Sequence, residues 1–399
     1  MSLMEHRKRL RALTWITVGL AVVAVVSGAL GGCSSETAGS IPTPTRTPAP
    51  AATLSPTDIP LPTPTSTPEF TPTPTPLPEN VNPLTGEVVS DPSLLERVPV
   101  AIKIVNYPPE YVWPQAGLNS ADLIFEHYNE GWFSSRWTAV YLGKDPQQVG
   151  PIRSGRIIDL EIPAMYKAVF ACSGFSNGVL ALFRDSDLYP DWVASESLPD
   201  TLSPSPFYRD SSRDVPLEHT MFTSPALVRA WAEEHGISGR QNLEGMGFSE
   251  KPTVEGEPAT YVYIPWHLLD AEWRYDEASG RYLRWSDGVP HTDALNGQQL
   301  SVANVVLLYV AQWDTDIVED PHWGNLSIRW ALWSVDNPYR PAILFRDGVR
   351  IDGIWHREER GDMLTLTDED GHLIPLKVGN TFFEVVPIGE HKVEITVEP

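Results

Sequence analysis

The chain has 399 residues, 38 of them proline, and a formal net charge of −23. An acid excess of that size excludes a nucleic-acid partner, and it keeps the chain's own surface off anionic lipid. Its two cysteines are Cys33 and Cys172; once Cys33 is modified, Cys172 has no disulfide partner.

Residues 1–33 read as a lipoprotein signal peptide. Arg7, Lys8, Arg9 and Arg11 form a basic n-region, and the run from Ala12 to Leu30 is apolar and uncharged. It ends in Leu30-Gly31-Gly32-Cys33, a lipobox pattern. That chemistry needs small residues before the cut and a thiol after it to carry diacylglycerol. The alternative is an uncleaved anchor, since about 19 apolar residues nearly span a bilayer. Either reading places the rest of the chain outside the cytoplasm, held to the bacterial cell membrane, with lipidation expected at Cys33.

Residues 34–80 form a Pro/Thr-rich disordered stalk, with runs such as Thr71-Pro72-Thr73-Pro74-Thr75-Pro76. Alternating proline blocks helix and sheet and favours polyproline II. At ~3.1 Å per residue where extended, such a stalk reaches on the order of 100 Å. About 320 residues remain for a folded body, one large domain or two. Composition divides them into an α/β part, 81–245, and a β-rich part, 255–399.

The spacing predicts strands over Val98–Val105, Ala121–Tyr128 and Ser135–Leu142, the last two forming a hairpin around Asn129-Glu130-Gly131-Trp132. Centred on Gly131, that hairpin sets Glu126 opposite Arg136 and puts Ile124, Glu126, Arg136 and Thr138 on one face. Gly150-Pro151-Ile152-Arg153-Ser154-Gly155-Arg156-Ile157-Ile158-Asp159 then carries two guanidiniums, a hydroxyl and a carboxylate into a helix start. Free backbone N–H groups and the helix dipole there, with Arg153 and Arg156, outline an anion site. Ile158, Ile162, Met165 and Tyr166 have helical spacing, interrupted at Pro163. Ala168–Cys172 is a short strand leading into the small polar loop Ser173-Gly174-Phe175-Ser176-Asn177-Gly178. His219 lies shortly before a helix capped by Ser224 with Pro225 in its first turn.

Beyond about residue 255 the apolar period changes from 3.6 to 2. Tyr282–Ser286, Val302–Trp313, Leu326–Trp333, Ala342–Arg346 and Thr381–Val386 read as mostly antiparallel strands. Asp287-Gly288, Asp347-Gly348 and Asp370-Gly371 supply the turns. The tryptophans of this half are read as core rather than as sugar platforms. His291 and Asp293, on a strand edge, and the lone His322 have no zinc or calcium spacing and read as surface loop, so no metal and no cofactor is expected.

Asn82-Pro83-Leu84-Thr85-Gly86, Gly150-Pro151-Ile152-Arg153-Ser154-Gly155-Arg156, Phe207-Tyr208-Arg209-Asp210 and His219 together resemble the YerB-like family of bacterial lipoproteins. Tyr282-Leu283-Arg284 with Asp287-Gly288, Asn304-Val305, and Phe345-Arg346-Asp347-Gly348 with Trp355 extend the resemblance over residues 82–390. It implies an α/β (α+β) class, a layered sheet-and-helix sandwich followed by a β-rich antiparallel portion. The chain departs from the family at Gly155, where Ala is usual, and at Thr220, where Asn is usual. The family's domain has no established function, so no catalytic residue carries over.

Three functional readings follow. In the first, Arg153, Ser154, Arg156, Glu126, Arg136, Asp159 and His219 line a ligand pocket. Its partner would be an anionic wall polymer, a lipid headgroup or an envelope protein. In the second, Glu126 or Asp159 works as acid/base of a wall-glycan enzyme; Ser154 as nucleophile is weaker, because no Gly-x-Ser-x-Gly elbow surrounds it. In the third, the arginines only tie the helix start to carboxylates.

Overall fold

The computed structural model describes residues 78–334 and 339–399. The signal peptide, Cys33 and nearly all of the stalk lie outside the described residues. Five strands organise the first part of the body: β1 (Val100–Val105), β2 (Leu123–Tyr128), β3 (Ser135–Tyr141), β4 (Val169–Cys172) and β5 (Val193–Ser195). Nearly all of their residues are buried. Strands covered on both faces read as continuous apolar runs, which is why the sequence shows them so plainly.

These strands form one part of an eleven-stranded sheet among the described residues. Its order is Thr365–Thr367, Val349–His356, Pro341–Arg346, Asn304–Val310, Thr381–Pro387, then β2, β3, β1, β4 and β5, with Glu257–Pro258 on a side branch. The Thr381–Pro387 strand is the join. It runs parallel to β2 on one side and parallel to Asn304–Val310 on the other. The composition change near residue 250 is thus a boundary in sequence, while the central sheet takes strands from both sides of it. A second sheet, six-stranded and antiparallel, is built from Tyr261–Ile264, Ala271–Asp276, Arg281–Ser286 and three short strands. It is layered on one face of the central sheet, where Trp273, Arg284 and Phe382 meet.

Three expectations change at the level of elements. The hairpin pairs Tyr128 with Ser135 across six loop residues, so Glu126 faces Trp137 and Arg136 faces His127. Gly131 (φ 72) and Trp132 (φ 60) are both left-handed, which lengthens the turn by one residue relative to the expected pairing. A one-residue slip sends every side chain to the opposite face. The expected helix after Arg156 is instead a single 3-10 turn, Ile157–Leu160, followed by one α turn, Ile162–Met165, both largely buried. The run Val302–Trp313 is also divided: Ala311 separates Asn304–Val310 from the long strand Gln312–Asp320.

Of the tryptophans beyond residue 255, Trp266, Trp273, Trp330 and Trp355 are buried, while Trp313 and Trp323 are exposed. Cys172 is a free, fully buried thiol, and burial pushes its pKa up to about 12.

Candidate functional site

The sequence-predicted residues separate into three buried clusters and one accessible remainder. The first cluster is built on Glu126. With the register corrected, it lies beside Glu384 of the neighbouring parallel strand, and both carboxylates point at Arg284 from the second sheet. Arg284 Nη2 donates to Glu126 Oε2 at 2.7 Å and Nη1 donates to Glu384 Oε1 at 3.1 Å. Ser135 Oγ and Asn106 Nδ2 also donate to Glu126. The indole N–H groups of Trp266 and Trp273 donate to Glu384 at 3.1 and 2.7 Å. The guanidinium is covered by the rings of Trp137, Trp273 and Phe382.

Two carboxylates share one cation here, out of water. Burial, and then the charge of Glu126, push the Glu384 pKa up to about 8 against the pull of Arg284. A carboxyl whose folded pKa lies above its unfolded value binds more protons in the native state between the two. Stability therefore falls as pH rises from the ordinary glutamate range, about 4.3, to about 8. Thermal melts across that window are expected to show this decline in the parent and a flatter profile in Glu384→Gln. Parallel profiles would contradict it.

The second cluster holds Asp159 on the other face of the sheet. Lys103, the one charged residue of β1, donates from Nζ to Asp159 Oδ2 at 2.9 Å, to Thr138 Oγ1 at 3.0 Å and to His127 Nε2 at 2.7 Å. His127 Nδ1 lies 2.8 Å from the carbonyl of Tyr128. A carbonyl only accepts, so Nδ1 carries the hydrogen and Nε2 is left to accept from lysine. Burial and then Lys103 keep that imidazole well below its usual pKa. Asp159 also accepts from Thr138 Oγ1 (2.6 Å) and from the backbone N–H of Arg156 (2.7 Å). Glu126 and Asp159 are fully buried, saturated and on opposite faces of one sheet. They cannot act as paired acid and base, which overturns that basis for a glycan-acting enzyme.

The third cluster takes up two of the predicted arginines. Arg156 grips Glu130 with a planar fork, Nε to Oε2 at 2.5 Å and Nη2 to Oε1 at 2.7 Å, and its Nη1 caps the carbonyls of Ser154 and Gly155. Arg136 donates to the Ser154 carbonyl at 3.0 Å and approaches Glu130 at 3.5 Å. Burial works to raise the Glu130 pKa, but Arg136 and Arg156 hold it far below the carboxylate range. Burial, then Arg156, push Arg136 down to about 9. These two arginines brace the hairpin loop against the 152–156 segment and do not face an open pocket.

What remains is Arg153 and Ser154, both partly exposed, with the buried His219 beside them. Strands β1 and β4 run parallel as far as the pair Ile102 and Ala171, then separate. The Pro151–Gly155 segment fills the split: Arg153 N–H donates to the Lys103 carbonyl at 3.1 Å and its own carbonyl accepts from Ser173 N–H at 3.0 Å. A crevice where neighbouring parallel strands part at their carboxyl ends is the usual place for a ligand in an open α/β sheet. Gly155 fits here because a Cβ would stand 2.5 Å from the Phe175 ring. Arg153 is half-buried, and among the described residues its guanidinium has neither a hydrogen bond nor an ion pair. His219 is 3 % exposed, and its Nδ1 is buried with no partner. Burial, then Arg153, lower its pKa, and its ring lies 5.4 Å from that of Tyr111.

His291 and Asp293 are buried rather than on a surface loop. His291 bonds Ser286 and Gln115, and Asp293 accepts from the backbone of Gly117 and Asn119. Among the described residues Asp368, Asp370 and His372 lie close enough to share a cation. Asp368 already accepts from the backbone of Asp370 and His372 and meets His372 Nδ1 at 3.1 Å, which accounts for the arrangement without an ion.

Lys103, Glu130, Arg284 and Glu384 were not among the predicted site residues. A lysine inside an apolar strand was the one signal available for Lys103.

Residues 84–238 match the family described as "Protein of unknown function (DUF3048) N-terminal domain", and residues 262–383 match its C-terminal domain. A Bacillus subtilis (strain 168) protein named "Putative lipoprotein YerB" is 25 % identical over 309 residues, 76 % of this chain and 86 % of that protein. The crystal structure of YerB from Bacillus subtilis has a similar fold, with a TM-score of 0.63 at 24 % identity, covering 79 % of this chain and 99 % of that one.

Proposed function

The chain belongs to the DUF3048, YerB-like family, and on that premise we propose that it is a lipid-anchored extracytoplasmic binding protein. Its ligand carries a phosphate or carboxylate, as in an anionic wall polymer, a lipid headgroup or an acidic face of an envelope protein. The lipobox ending at Cys33 and the relative's name support the anchor. The observation that carries the ligand is Arg153: among the described residues its fork has no hydrogen bond or ion pair, and it stands at a strand split beside His219, whose Nδ1 is buried without a partner. Buried polar groups in proteins are almost always satisfied, so the orphaned His219 Nδ1 next to a free guanidinium calls for a partner. A guanidinium suits a planar oxyanion, and the depressed pKa of His219 leaves a neutral ring able to donate one hydrogen bond. Ser154 offers its hydroxyl at the same place, while Arg136 and Arg156 hold its carbonyl from behind.

The test is titration of the detergent-solubilised full chain with inorganic phosphate and with a glycerol-phosphate oligomer. Arg153→Ala is expected to weaken binding about tenfold or more, ~1.4 kcal/mol, and Arg153→Lys to fail similarly because it lacks the fork. Stability should change by less than about 1 kcal/mol, because among the described residues the Arg153 guanidinium has no ion pair or hydrogen bond to lose. Equal affinity of parent and Arg153→Ala would overturn the reading.

A further inference from the structure

A cleft of about 710 Å³ opens on the β-rich side of the body, and no residue of the Arg153 site lines it. Its floor is one face of two paired strands, Pro341–Arg346 and Val349–His356. Pro341 is opposite Ile354 and Ile343 opposite Asp352, so side chains from alternate positions share that face. Tyr309 and Tyr339 flank the floor, Tyr339 with 64 % of its surface exposed. The volume lies within the roughly 300–1,000 Å³ typical of small-ligand sites.

Two of the arginines of this cleft are held in place by neighbours. Arg350 is locked to Asp352 by three hydrogen bonds of 2.8–3.1 Å, giving a flat edge that presents donors and acceptors together. Arg340 is pinned by the carbonyls of Trp355 and Ser334 at 2.9 and 2.6 Å. Lys392 and Glu369 complete the lining, which leaves three cations against two carboxylates.

These features exclude several occupants. A peptide strand has no edge to add to, because both strands are paired on each side. An acyl chain would bury five charged groups. A polyanion would find little net charge. A sugar ring fits: its C–H faces pack on tyrosine, and its adjacent hydroxyls need donor and acceptor side by side. We infer that this cleft is a saccharide-binding site, for a short glycan that is neutral or carries a single acidic group.

The full chain in detergent is titrated with chitotetraose, maltotetraose and a hyaluronan tetrasaccharide, with saturation-transfer NMR as readout. Saturable binding of at least one is expected, weakened about tenfold or more, ~1.4 kcal/mol, by Tyr339→Ala and by Asp352→Ala. Both positions are exposed, so melting curves should match the parent. Arg153→Ala should bind the saccharide as the parent does, which separates this cleft from the anion site. Absence of binding by all three saccharides would overturn the inference. So would parent-like affinity in both cleft variants, or loss of saccharide binding in Arg153→Ala.

Discussion

Arg284→Ala is expected to be the most damaging single substitution in the body, costing at least roughly 3–5 kcal/mol and leaving little folded protein. The residue is 1 % exposed and is the shared partner of two fully buried carboxylates. Removing it leaves both without their cation, and leaves a void where the guanidinium packed against Trp137, Trp273 and Phe382. One carboxyl can take up a proton, and Glu384 is already inclined to, but its single O–H replaces only one of the guanidinium's hydrogen bonds and leaves the other carboxylate charged without a cation in a dry layer. The substitution acts on the whole molecule because it joins layers. Glu126 and Glu384 belong to the central sheet and Arg284 to the second one. A triple variant, Glu126→Gln, Glu384→Gln and Arg284→Met, removes every formal charge and should recover a substantial part of the loss. A melting curve for Arg284→Ala close to that of the parent would show that the ion cluster does not hold the sheets together.

The same cluster shows what could be read from the sequence. The strands were legible where both faces are buried, because Val100–Val105 and Val169–Cys172 are apolar but for Lys103, and Leu123–Phe125 opens the next strand as an apolar run. Hairpin turns at Asp287-Gly288 and Asp347-Gly348 were legible because a left-handed residue is needed there, and Asp287 and Asp347 do adopt positive φ. The pairing of Glu126 was not. Parity in a hairpin depends on loop length alone, and Asn129–Ser134 offers no two-residue signal to count from. Its true partner, Arg284, is 158 residues away in another sheet, so no local pattern reports it. The parallel join through Thr381–Pro387 was hidden for the same reason: periodicity identifies a strand but not its neighbour. Of the predicted site, Arg153 and His219 come together because the 152–155 segment and the chain after His219 converge beside the same strand split. Glu126 was lost from that site by one residue of register.

Arg156→Ala is expected to destabilise the body by about 3–5 kcal/mol, against less than about 1 kcal/mol for Arg153→Ala three residues away. The two have the same charge and the same local sequence, and they differ only in what surrounds them. Arg156 is 8 % exposed. Its fork neutralises Glu130 and its third nitrogen bonds the Ser154 and Gly155 carbonyls; truncation takes the fork from Glu130 and leaves the Ser154 carbonyl only its bond from Arg136. Arg136 stays near Glu130 at 3.5 Å, so the lower half of that range is the better expectation. Glu130→Gln added to Arg156→Ala should restore part of the stability, since it removes the stranded charge. Arg156→Lys should fall in between: an ammonium can reach one oxygen of Glu130 but cannot also cover the carbonyls of Ser154 and Gly155. Urea unfolding of these variants alongside Arg153→Ala separates a structural arginine from a ligand-facing one without knowledge of the ligand. An Arg156→Ala variant that unfolds like the parent but no longer binds phosphate would reassign Arg156 to the site and Arg153 to the scaffold.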